Sequence, residues 1–151
     1  MKKLELSLAA IFVIGRIFNI WQLPGYMILT FFPTFSLCLL YFFFSFYLLN
    51  GKTWKDIFKK ETYSKIETFP AVMSILVGSI ALAGFVSATM QTAMYYTANH
   101  FVFFVSAIIL LLAFLGLLVS FLKDNHKQFS KQNLIRIGIA LFLGIVSVAM
   151  L

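Results

Sequence analysis

The chain has 151 residues, 62% hydrophobic and 18% aromatic, with 11% charged side chains and a formal net charge of +7; its mean hydropathy is +0.97. A soluble domain is roughly half apolar and about a quarter charged, so this composition excludes an ordinary water-soluble globule and makes lipid the expected solvent. The positive charge does not point to nucleic acid, because the basic residues lie between apolar runs and form no patch with interleaved aromatics.

A spanning helix requires about 20 apolar residues, within a range of roughly 17 to 25. Five runs meet or approach that length, at 4–21, 26–49, 69–95, 101–122 and 134–151. The expected fold is therefore all-α: a polytopic integral membrane protein with one transmembrane helical domain over 1–151, arranged as two hairpins plus a C-terminal helix. A reading with four spans, in which 134–151 lies at the interface, is the alternative.

The first run opens "MKKLELSLAAIFVIG", with the basic start of a signal peptide. Its apolar character continues past the small residues to Trp21, so we read it as an uncleaved first span. Arg16 and Asn19 share one face of it. An arginine at mid-bilayer costs from about 3 to more than 10 kcal/mol, and three readings of Arg16 are open. It snorkels to the interface near Trp21, it pairs with polar groups such as Ser87, Thr89 or Gln91 on the third run, or it binds an anion or a partner's carboxylate. Pro24 and Gly25 then stop the helix in a tight turn.

The second run contains Pro33, expected to kink it, and the chain's one cysteine, Cys38, which excludes an intramolecular disulfide. Small residues are few beyond Ser36 and Ser45, and "YFFFSFY" is bulky all round, so this helix is expected to face lipid or a partner with a matching groove. The segment 50–68 follows, "NGKTWKDIFKKETYSKIET". Trp54, Ile57, Phe58 and Ile66 recur at helical spacing while Lys52, Lys55, Lys59 and Lys60 mostly occupy other faces. That pattern predicts an amphipathic helix on the inner leaflet, drawn to anionic lipid; a solvated loop is the other reading.

Pro70 falls at the first turn of the third helix, where its missing N–H costs nothing. Gly84, Ser87, Ala88 and Gln91 then make a small-residue stripe that should meet another helix. Gly116 with Ser120 in the fourth run, and Gly138 and Gly144 in the fifth, are further expected contact points. Leu8, Ala9, Gly15, Ile17 and Trp21 correspond loosely to Val77, Gly78, Gly84, Val86 and Met90, a register that suggests two related hairpins.

Lys2, Lys3, Lys52, Lys55, Lys59, Lys60, Lys65, Lys123, Lys127 and Lys131 all fall at the N-terminus or in the two long separators. With five spans these share one face, which the positive-inside rule makes cytoplasmic, with the C-terminus periplasmic. No acidic residue lies well inside a run, which speaks against an ion-driven pump. His100 and His126 fall at opposite ends, and no phosphate loop, nucleophile elbow or HExxH sequence occurs. We therefore expect no enzyme, cofactor or metal site. Two functional classes stay open: a subunit or scaffold that packs against itself or another membrane protein, or a small transporter or channel with a polar path near Arg16, Asn19 and Gln91.

The stretch "IGRIFNIWQLPGYMIL" (14–29), an aromatic and isoleucine helix before a Trp-Gln-Leu-Pro-Gly turn and a second apolar helix, resembles the first membrane hairpin of GldL. That protein is the membrane component of the motor for gliding and type IX secretion. In length and in its lysine-rich middle loop the chain resembles a wider group of small GldL-like polytopic proteins. The resemblance implies a bacterial inner-membrane location and a helical-hairpin architecture. The long cytoplasmic tail and acidic membrane residue of the motor protein have no counterpart here, so a motor role is not implied.

Overall fold

The computed structural model describes residues 1–57, 59, 66–93, 100–123 and 126–149. Among these the long elements are all helices, the arrangement in which an apolar segment satisfies its own backbone groups. Helix α1 is Lys2–Ile20 and α2 is Tyr26–Leu49. Helix α3 consists of Thr68–Met73, a π-helical stretch Ser74–Leu82, and Ala83–Ala93. Helices α4, His100–Leu122, and α5, Lys127–Ala149, complete the bundle.

Among the described residues three stretches are long and apolar enough to cross a membrane: Tyr26–Leu49, Thr68–Thr89 and Phe104–Leu122. Helices α1 and α5 carry Lys2, Lys3, Glu5 and Arg16, and Lys127, Lys131 and Arg136, and are not among them. The start of α5 corrects the sequence reading by two turns, since 127–133 is helix and not loop. The polar letters that suggested a loop are satisfied inside the bundle: Ser130 Oγ donates to Ser120 Oγ of α4 at 3.2 Å, and Asn133 is fully buried.

Helix α2 also corrects the expectation that it faces lipid. It packs against α1 on one side and α3 on another and touches α5, and it contributes Leu37, Leu40, Tyr41, Leu48 and Leu49 to the core. Its outer face does remain exposed, through Ile28, Phe32, Phe35, Leu39, Phe42 and Phe43. What made it a spine is the small polar residues scattered among its phenylalanines. Ser45 Oγ and Ser79 Oγ are 2.7 Å apart, Ser79 Oγ donates to Phe42 O at 3.1 Å, and Cys38 Sγ donates to Ala83 O at 3.5 Å. At the end of α2, Asn50 Nδ2 donates to Ser74 Oγ at 2.8 Å. Interhelix hydroxyls and close backbone approach are how helices associate where both solvent and side chain are apolar. Pro33 is accommodated within a continuous helix.

The contact between α2 and α3 is tightest at Gly78, where a Cβ would lie 2.1 Å from Ser45 Cβ. Gly144 of α5 lies equally close to α3, with Phe85 Cζ 2.1 Å from the position of a Cβ. Gly116 and Gly138 have open space around that position, which corrects their assignment as contact points.

The described part of the 50–68 segment is not the amphipathic helix expected. Gly51–Ile57 holds one 3-10 turn, Trp54–Asp56, closed by Thr53 N and Thr53 Oγ1 donating to Asp56 Oδ2 at 2.8 Å each. These bonds, the backbone one first, hold the Asp56 carboxyl below its ordinary range. The Trp54 ring meets Phe44 of α2 edge-to-face, 5.1 Å between centroids, and that docks the turn on the bundle. Phe58 and 60–65 lie outside the described residues.

Gly78→Ala and Gly116→Ala both add helix propensity worth about 1 kcal/mol, so their difference isolates the α2–α3 contact. Gly78→Ala is expected to lower stability by about 1–3 kcal/mol through overpacking, seen as a reduced melting temperature in detergent, while Gly116→Ala leaves it level or raises it. Equal effects would contradict the close contact.

Candidate functional site

The residues that concentrate chemistry lie at the lysine-rich end of the bundle. Glu5 falls in the first turn of α1, where the helix dipole favours an anion. Its Oε1 accepts a hydrogen bond from Tyr41 Oη of α2 at 2.7 Å and from Arg136 Nε of α5 at 2.8 Å; Oε2 accepts from the same Nε at 3.1 Å. The two charged side chains are only 13% and 11% exposed. Arg136 Nη1 in turn donates to Asn133 Oδ1 at 3.0 Å, one helical turn back on the same face. Asn133 Nδ2 donates to Phe129 O at 3.0 Å and to Leu49 O at 3.2 Å. Leu49 ends α2, where carbonyls lack intrahelical partners, so Asn133 supplies one. A single chain of hydrogen bonds thus joins α1, α2 and α5.

Two cavities flank this network. An apolar groove of about 360 Å³ is lined by Ala9, Phe12, Leu37, Val86, Ile139 and Leu143, with Glu5, Tyr41 and Arg136 also on its wall. A polar cavity of about 500 Å³ is lined by Lys2, Lys52, Asn50, His126, Lys127 and Glu67. Lys2 and Gln132 line both, and Lys2 Nζ donates to Gln132 Oε1 at 3.0 Å between them. His126 is docked: Nδ1 is 3.1 Å from the Glu67 carboxylate and its ring stacks on Phe69 with centroids 5.2 Å apart.

The residues singled out from sequence fall elsewhere. Arg16 lies eleven positions beyond Glu5, roughly 16 Å along the helix, and is 6% exposed at the α1–α2 contact. Beside it Gly15 admits the α2 backbone so closely that a Cβ would lie 2.7 Å from Leu29 C and O. Asn19 and Ser87 are half-buried and Ala88 is buried, while the side chain of Gln91 lies outside the described residues. Thr89, a suggested partner for Arg16, donates its hydroxyl to Phe85 O of its own helix at 2.8 Å. The small-residue stripe does meet a helix, and that helix is α4: a Cβ on Gly84 would lie 2.6 Å from Ser106 Oγ. Gly15 and Gly84 thus sit at corresponding places in the two hairpins, each where its helix touches the next.

Pro24 and Gly25 form the expected turn, with Gly25 at φ +89° preceding α2. Lys52 is half-buried, Trp54, Lys55 and Lys59 are exposed, and Lys60 lies outside the described residues. Sequence reasoning missed the Glu5–Arg136 pair. The signal was available, as one acid in the first run and one base in the last, on helices that start from the same end.

Breaking a buried ion pair from one side leaves the other charge uncompensated, at a cost of about 3–5 kcal/mol, whereas replacing both partners by apolar groups is often neutral. Glu5→Leu and Arg136→Leu should each destabilise the bundle on that scale, and the double variant should recover most of the loss. Additive losses in the thermal-melting cycle would mean that the two side chains do not interact.

No protein-family model, curated protein or solved structure matches the chain.

Proposed function

We propose that the chain is a non-enzymatic integral membrane protein of the bacterial inner membrane, acting as a subunit or scaffold that packs against another membrane protein or a second copy. In this reading all five helices span, the N-terminus and the lysine-rich segments are cytoplasmic, and the C-terminus is periplasmic. The clustering of Lys2, Lys52 and Lys127 around one cavity supports the orientation. The mutual neutralisation of Glu5 and Arg136 supports the inclusion of α1 and α5, since paired charges facing a bundle interior are tolerated where lone ones are not. The resemblance of residues 14–29 to a GldL-like hairpin agrees with the location.

The observation that carries the subunit reading is the outer face of α2. Ile28, Phe32, Phe35, Leu39 and Phe42 are exposed at alternating spacings of four and three, with Phe43 beside them. Phe31 and Phe35 stack at 5.7 Å with their planes 7° apart, and Phe42 and Phe43 meet edge-to-face at 5.0 Å. Aromatic side chains are enriched at protein interfaces and offer large, stiff contact area. The outer face of α4 carries Phe101 and Phe104 at its start and is aliphatic from there on, with Ile108, Leu111, Leu112 and Leu115 suited to acyl chains. Several interior polar groups, among them Ser45, Ser130 and Asn133, are engaged in interhelix bonds, as befits a rigid body.

The apolar groove favours a second reading, a small transporter or channel. Its polar wall is Glu5, Tyr41 and Arg136, so a path would run there and not past Arg16, Asn19 and Gln91.

Purification of the tagged chain from native membranes in mild detergent, with complex mass and co-purifying proteins determined together, tests the subunit reading. A stoichiometric partner or defined oligomer is expected, released by Phe32→Ala with Phe42→Ala at unchanged melting temperature. A lone monomer, or a complex indifferent to both substitutions, would contradict it, and solute flux in liposomes would then decide for the transporter.

A further inference from the structure

We propose that the lysine-rich end holds one anionic phospholipid, its phosphate among Lys2, Lys52 and Lys127 in the polar cavity and an acyl chain in the adjoining apolar groove. The two cavities share Lys2 and Gln132 as a common wall, so polar space lies beside apolar space, in the order of a phospholipid's own headgroup and tail. Gly51, at φ +69°, turns the chain out of α2 beside Lys2 and Gln132.

Charge selects the headgroup. Among the described residues Lys2, Lys52 and Lys127 line the polar cavity together with one carboxylate, Glu67, which is engaged by His126 at 3.1 Å. On the groove side Glu5 is covered by Arg136 and Tyr41, so it presents little uncompensated charge to a bound anion. The cavity therefore favours an anion over a zwitterion, whose choline would bring a cation among cations. The groove, at about 360 Å³ and lined by Leu6, Ala9, Phe12, Leu37, Val86 and Leu143, is within the range of small-ligand pockets and apolar along its length. A free phosphate would satisfy the lysines alone; the adjoining groove is the reason to assign a lipid. The proposal rests on residence in a bilayer and is independent of any protein partner.

The test uses the full chain in delipidating detergent, titrated with phosphatidylglycerol or phosphatidylcholine of identical acyl chains, with bound lipid counted by native mass spectrometry. One phosphatidylglycerol is expected to bind at least about tenfold more tightly than phosphatidylcholine, on the scale that two or three lysines contribute. Lys2→Ala with Lys52→Ala and Lys127→Ala should erase the preference, and the corresponding Lys→Arg variants should keep it. Lys2 and Lys127 are exposed and Lys52 is half-buried, so the melting temperature is measured for each variant and the Lys→Arg set controls for folding. Ala9→Phe, which fills the groove, should weaken both lipids, and glycerol 3-phosphate should not compete. Equal binding of the two lipids, a preference that survives the triple alanine variant, or displacement by glycerol 3-phosphate would overturn the proposal. Flotation with pure phosphatidylcholine vesicles tests bilayer residence separately: a protein that floats but shows no headgroup preference sinks the lipid site alone.

Discussion

A carboxylate and a guanidinium enclosed between apolar helices are each very costly alone and tolerable together, and the bundle is organised around that fact. Glu5 enters on α1, at the beginning of the chain, and Arg136 on α5, near its end. Their pairing brings together two helices separated by nearly the whole sequence. Tyr41 closes the third side from α2, so the pair is also hydrogen-bonded, which is the condition under which buried charges persist. Asn133 extends the network to the last carbonyls of α2. Glu5 in the first turn of α1 and Arg136 in the third turn of α5, which reduce the apolar character of these helices, are thereby the residues that fix them to the spine.

Around this anchor the remaining contacts are steric. Where α1 meets α2, α3 meets α2, α4 meets α3 and α5 meets α3, a glycine lies at each close approach: Gly15, Gly78, Gly84 and Gly144. In a setting where lipid tails are as apolar as leucine, small residues and hydroxyls decide which helix faces associate, and bulky side chains fill the outside. The outer face of α2 is the richer in phenylalanine, and that of α4 turns aliphatic after Phe101 and Phe104. Glu5, occupied by Arg136, lies on the wall of the apolar groove and not of the polar cavity.

Much of the helical layout was legible in the letters because apolar run length is set by a single physical scale. The bounds 26–49 were read as they stand in α2, and 101–122 differs from α4 by one residue. The start of α5 was not legible, because Ser130 and Asn133 look like loop residues until their partners, Ser120 and the Leu49 carbonyl, are known. The central place of α2 was hidden similarly: Cys38 and Ser45 are minor letters in a phenylalanine-rich run, yet they sit where α3 comes closest. Gly84 was identified correctly as a packing residue, while Gly116 looked the same in sequence and faces open space. Small residues permit contact without specifying it. Arg16 drew attention as an arginine within an apolar run; the network formed around Arg136 instead.

The distance between the beginnings of α1 and α5 tests the central claim most directly. Spin labels at cysteines replacing the exposed Lys3 and Lys131, in a Cys38→Ser background, would be measured by double electron–electron resonance in lipid nanodiscs. The Glu5–Arg136 anchor predicts one narrow distance distribution that broadens and lengthens when Glu5→Leu is added. A distribution that is already broad with Glu5 present, or one that stays narrow without it, would contradict the account.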